Sequence, residues 1–319
     1  MKPFPFLMVI GAFLLSLTAC RSDPGLLRPN SAVEAADGAV YVNDFGNHRV
    51  VKLDADGKVL LSFGRLGENP EQLYRSWDLT VGADGNLYLC NFVDDSVHLK
   101  NDQIKVFAPT GKFLREIGRA DYNADGETDP NKPYGLDIDN AGNLYVADYA
   151  RGTIRVFDSQ GTLLASLFAD APEERRYIGL NDVAVDDTRG LLYTVDFDGS
   201  RLDQYRLASD EEGIPEVEFL QTVATYGYGN QQIAFPQYMA VDDASGRLYV
   251  GDTGNRRVQV FDADGTFRLS IPVPGVKEWQ IMGVSLGKAG NLYVSDAYNN
   301  AIWVFTLEGS LLKRIEVAR

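Results

Sequence analysis

Two cysteines, Cys20 and Cys90, and two histidines, His48 and His98, are all that 319 residues supply of those two types. A three-histidine metal site and a cysteine metal cluster are therefore excluded. Basic residues are outnumbered, 30 Lys and Arg against 45 Asp and Glu, for a formal charge of −15. So acidic a chain repels nucleic acid, whose affinity depends on Lys and Arg neutralising phosphates. The sequence also lacks a G-x-S-x-G elbow, an H-E-x-x-H pair and a phosphate-cradling glycine loop. No organic cofactor is expected. Helical periodicity is missing too, and everything that remains reads as short strands and turns.

The apolar run "FLMVIGAFLLSL" at 6–17 is too short to span a bilayer and suits a secretory signal. It closes on "LTAC", Leu17–Cys20, which resembles the lipobox of bacterial lipoproteins. That resemblance implies a signal peptide over 1–19, a lipidated Cys20 and a short linker through 29. Arg21 stands where an Asp would resemble an inner-membrane retention signal, so an outer-membrane anchor facing periplasm or exterior is expected. Loss of Lys2 with the signal takes the charge from −15 to −16. Only Cys90 then remains as a thiol, so no intramolecular disulfide can form and stability must come from the core.

One pattern occurs six times. Gly-x-x-Tyr-x-x-Asp/Asn has its tyrosine at 41, 88, 145, 193, 249 and 293, with spacings of 47, 57, 48, 56 and 44. Each copy ends on a polar residue: Asp44, Asn91, Asp148, Asp196, Asp252 or Asp296. A β-branched or leucine position follows six residues later, once seven inserted residues are allowed in the second copy. Two further strand-like stretches flank each hairpin. Periods of about 40–50 residues with four short strands signal propeller blades. The expected fold over 30–319 is all-β: a six-bladed β-propeller of four-stranded antiparallel blades. "GNHRVVKLDADGKVLLSFG" and "GNRRVQVFDADGTF" resemble the NHL repeat family, with departures at "CNFVDDSVHLKNDQ" and "ASDEEGIPEVE". Propellers of that kind host binding modules and enzymes alike, so the resemblance implies the fold and leaves function open.

Residues present in every copy serve what every blade needs; departures carry the specific information. At the start of the innermost strand, Gly135 and Gly283 follow the family, whereas Asn30, Asp78, Asp182 and Tyr238 replace glycine. With Trp77 one residue earlier, these side chains are expected at the mouth of the central channel, as a ligand or hard-cation site or as polar channel walls. They resemble, loosely, the metal site of six-bladed gluconolactonase-like enzymes. A second ring follows the repeat acid: Phe45, Phe92, Tyr149 and Phe197, with Arg151, Arg201 and Arg256 nearby. It is expected either to form a recognition surface for peptide or sugar or simply to cover the blade tops. Finally, "DYNADGETD" sets Asp121, Asn123 and Asp125 at alternate positions, with the Glu127 carbonyl and Asp129 to follow. This is the spacing of a structural calcium loop.

The functional expectation is a lipid-anchored envelope module that binds or scaffolds a protein, peptide or glycan through its loop-rich face. A metal-assisted lactonase-like hydrolase or lyase at the channel mouth is the alternative, and a rigid spacer ranks third.

Overall fold

Six sheets, each made of strands consecutive in the chain, stand around one axis. The structure is a computed structural model and describes residues 24–92, 103–118, 132–275, 281–287 and 289–317. The expected signal segment 1–19, Cys20, His98 and the whole of Asp121–Asp129 lie outside these residues. Five blades have four strands; blade 4 adds the short strand Gln232–Ile233, paired parallel to the end of Pro215–Tyr226. Its "ASDEEGIPEVE" segment lengthens the outer hairpin, Arg201–Ser209 with Pro215–Tyr226, well past those of the other blades. Helix among the described residues is confined to three single 3-10 turns.

The alternating apolar positions of the strands meet between blades rather than within them. Tyr41 and Val50 of blade 1 pack on Leu79, Leu89 and Phe107 of blade 2. Equivalent clusters fill the other interfaces, and Cys90, fully buried, belongs to the one between blades 2 and 3. Blade 6 is built from the last four strands, and among the described residues no strand exchange locks the ring. Closure rests instead on packing: Ala32, Val42 and Val51 of blade 1 against Tyr293, Ile302 and Val304 of blade 6. The Arg28 backbone N–H also donates to Asn300 Oδ1, 2.8 Å away.

The repeated residues have structural work in every blade. The repeat acid accepts a backbone N–H from the segment leading into the innermost strand: Leu27 to Asp44, Tyr74 to Asn91, Lys132 to Asp148, Ile178 to Asp196, Ala234 to Asp252. In four blades the repeat tyrosine reaches the next blade: Tyr41, Tyr193 and Tyr249 donate to the carbonyls of Pro109, Ala263 and Leu307, and Tyr293 donates to Glu34, whereas Tyr88 and Tyr145 donate to Asp84 and Asp139 in turns of their own blades. Four residues beyond the acid, His48, Gly152, Ser200, Arg256 and Asn300 all take positive φ. That tight left-handed step closes the turn between the second and third strands. His48 thus occupies a turn position; its Nδ1 meets the Tyr74 carbonyl, and burial with the Arg75 charge holds its pKa down.

Candidate functional site

Each innermost strand of blades 2, 3, 4 and 6 carries a β-bulge at the same place, where two residues face one on the second strand. A bulge re-aims side chains. Here it sends Trp77 and Tyr134 up to the loop-rich face while Asp78 and Asp182 turn inward. The throat of the channel is then assembled from bonds between blades. Asn30 Nδ2 donates to the Ser76 carbonyl at 3.1 Å. Asp78 accepts from the Leu136 N–H at 3.2 Å and Asp182 from Met239 N–H at 2.8 Å. The two retained glycines are forced by this closeness. A Cβ on Gly135 would sit 2.0 Å from Asp182 Oδ1, and one on Gly283 would sit 2.3 Å from the Asn30 carbonyl.

Tyr238 closes the throat. Its hydroxyl crosses from blade 5 to blade 2 and donates to the Trp77 carbonyl at 2.9 Å. Being the bulge residue, Trp77 has no partner in the ladder, which leaves that carbonyl available. Trp77 therefore gives the throat its backbone oxygen, and its ring goes elsewhere. Below this bar lies a cavity of about 170 Å³ lined by Asp78, Asp182, Thr80, Ser285 and a third acid, Asp137. Asn30, Ser76 and Asn181, at or above the bar, are buried, whereas Thr80, Val241 and Leu286 further along the strands are half-exposed. The cavity is thus a funnel opening on the face of the first-to-second-strand turns, away from the long loops.

Loss of water pushes the Asp78 and Asp137 carboxyls up to about 7 and raises Asp182 strongly, with Asp78 adding to the effect on Asp182. The Cys90 thiol, buried nearby, is raised too and is no nucleophile. Sequence reasoning passed over Asp137, yet it stands two residues after Gly135 and so shares its channel-facing side.

On the loop-rich face the rings form one connected array. Phe45 meets Trp77 edge-on at 4.9 Å; Trp77 stacks with Phe92 at 5.5 Å and touches Tyr134 at 4.3 Å; Tyr134 reaches Tyr149 at 4.9 Å. Phe45 and Phe92 are buried beneath, whereas Trp77, Tyr134 and Tyr149 are half-exposed. Arg28 and Arg75 lie over Phe45. The Tyr149 hydroxyl donates to Asp198, and beyond it Phe197 packs with Phe235 at 5.6 Å. Arg201 turns inward to Asp203 at 2.9 Å and covers Tyr177. Arg151 is half-buried, and Arg256 is exposed at its turn. Tyr226 and Tyr228, exposed beside Phe235, extend this face and went unnoticed in the sequence because they follow no repeat position.

An NHL repeat is matched at residues 234–261. The chain is 25% identical over 137 residues to Protein brain tumor of Drosophila melanogaster, covering 43% of this chain and 12% of that protein. It is 25% identical over 233 residues to NHL repeat-containing protein 3 of Homo sapiens, covering 70% of this chain and 62% of the relative. It therefore spans less than two thirds of either relative's length. Among solved structures, a streptogramin B lyase superposes with TM-score 0.60 at 14% identity, over 93% of this chain and 85% of its own. A gluconolactonase from Xanthomonas campestris gives 0.64 at 17% identity, over 88% and 86%. These likenesses bear on fold alone. Six consecutive four-stranded blades, the recurring tyrosine and repeat-acid contacts and the matched repeat lead to one assignment: the chain is a six-bladed β-propeller that carries an NHL repeat.

Proposed function

We propose that this propeller is a ligand-binding module of a bacterial cell envelope, tethered by lipid on Cys20 and taking a peptide or glycan on its loop-rich face. The observation that carries the reading is the terrace of Trp77, Tyr134 and Tyr149, half-exposed above a throat barred by Tyr238. Flat rings beside Arg28 and Arg75 suit stacking on sugars or on peptide side chains. The enzymatic alternative at the channel mouth has less to work with. Asp78 and Asp182 spend oxygens on backbone N–H groups of neighbouring blades, and Tyr238 stands between them and the loops. Asp121, Asn123, Asp125, Glu127 and Asp129 complete the proposal as a calcium loop between blades 2 and 3.

Glycan and peptide arrays probed with the tagged protein test the terrace. Binders are expected whose signal falls at least tenfold in Trp77→Ala and in Tyr134→Ala, with Leu311→Ala on the exposed outer edge unaffected. Binders that survive both ring deletions would remove the terrace as the site. Cys20→Ser is expected to move the protein from the membrane to the soluble fraction.

A further inference from the structure

The geometry points to the funnel below Tyr238 as a binding site for a primary ammonium carried on a slender alkyl chain. Three carboxylates, Asp78, Asp137 and Asp182, wall the cavity, and no Lys, Arg or His is among its lining residues. Buried carboxylates without a cation are costly, and structures normally pair them. The Ser31 hydroxyl, 5% exposed, lines the same cavity and finds no hydrogen bond of good geometry, although Asp78 is its neighbour. Asp78 accepts from the Leu79 and Leu136 N–H groups and Asp137 from those of Ile138 and Val185, so what the lining lacks is a cation.

The acids do not fit a bare metal ion. Among the described residues, no three or more His, Cys, Asp or Glu side chains converge closely enough to hold one. The rest of the lining alternates polar Ser31, Thr80, Tyr238 and Ser285 with apolar Val33, Ala240, Val241 and Leu286. The apolar stretches suit a few methylenes, and the polar ones suit the charged end of the same chain. An engineered cavity of about 150 Å³ takes up a benzene ring, so about 170 Å³ holds a chain of five or six heavy atoms. Outside the mouth, Asp187 and Asp243 act electrostatically on Asp137, and Asp139 acts on Asp187. Arg189 stands among them, paired with Asp186 and donating to the Asp243 carbonyl, but the acids outnumber it, and an excess of one sign of charge concentrates the opposite ion. The site lies on the opposite face from the terrace and does not rest on that reading.

Two sources carry this chemistry, a free diamine and a lysine side chain presented by a partner. Titration calorimetry of the purified full-length protein separates them, using cadaverine, Nα-acetyl-lysine methylamide and the uncharged 1,5-pentanediol. Both amines are expected to bind at one site per chain, and the diol is not. Binding of cadaverine alone assigns a free diamine; binding of the lysine amide alone assigns a partner's side chain. Asp137→Asn should weaken binding at least tenfold, as should Ala240→Met, which fills the funnel and leaves the acids intact. Asp37→Asn, on an exposed turn of the same face, should leave it unchanged. If Asp137→Asn does not fold, Ala240→Met decides. Equal heats from the diol, displacement of cadaverine by magnesium at matched ionic strength, or full affinity in both funnel variants would overturn the assignment.

Discussion

Tyr238→Phe deletes one oxygen from the middle of the ring. The hydroxyl donates across the channel to the Trp77 carbonyl at 2.9 Å; Tyr238 is buried and the bond is partly shielded from water. A neutral hydrogen bond contributes about 0.5–1.5 kcal/mol, and leaving the carbonyl orphaned adds desolvation on the order of 1 kcal/mol. The loss should be about 2 kcal/mol. The ring itself stays, so no cavity opens. At about 2–4 °C per kcal/mol in a domain of this size, the melting temperature should fall by about 4–8 °C. Tyr238→Ala adds the cost of an emptied aromatic site, about 3 kcal/mol more. Tyr228→Phe is the control, since that side chain is 70% exposed and its hydroxyl meets only Tyr226. It should change stability by less than about 0.5 kcal/mol. Calorimetric melts of the three variants decide the matter. If Tyr238→Phe melts within 1 °C of the parent protein, roughly the scatter such shifts resolve, the cross-channel bond does not brace the ring.

Three other outcomes follow from the same contacts. Because Asp78 and Asp137 stand near 7 in the folded protein and near 3.8 when unfolded, the folded state holds more protons between those values. Their contribution to stability is therefore fully present below about pH 4, is lost as pH rises to about 7 and stays flat above; unfolding free energies from urea denaturation at pH 5 and 8 should differ by a few kcal/mol, and Asp78→Asn/Asp137→Asn should flatten the difference. Lys105, fully buried, donates to the carbonyls of Asn69, Pro70 and Gln72; Lys105→Met orphans all three and should cost about 3 kcal/mol or more in urea denaturation. Calcium should raise the melting temperature, chelator should lower it, and Asp125→Ala should abolish both responses; a melt indifferent to calcium rejects the loop.

The blades were legible because their period is long and their signature polar. A Tyr with an Asp or Asn three residues on, repeated six times, leaves few folds available, and the structure uses these residues in inter-blade and turn-closing bonds. The bulge was not legible. It depends on which two residues of one strand face one residue of the next, a matter of register rather than composition. For that reason Trp77 read as a channel residue from its neighbour Asp78, whereas the bulge separates the two and sends the ring to Phe92 and Tyr134. The Tyr238 bar joins residues 161 apart in sequence, and nothing local marks it.

The bonds of the throat also bear on how a propeller without strand exchange stays closed. Asn30 ties blade 1 to blade 2, Asp78 ties 2 to 3, Asp137 accepts from the Val185 N–H and ties 3 to 4, and Asp182 ties 4 to 5. Ser285 donates to the Ala32 carbonyl and ties blade 6 back to blade 1. Residues that depart from glycine at this ring are therefore fasteners first, which is reason enough for a polar throat without catalysis. Fastening uses one oxygen of each acid on the next blade's backbone, and burial without a cation holds all three carboxyls above their usual range. A fold that needed only fasteners has the neutral choice already in use at Asn30; the two acids at its equivalent positions, Asp78 and Asp182, with Asp137 beside them, are what the proposed ammonium site rests on.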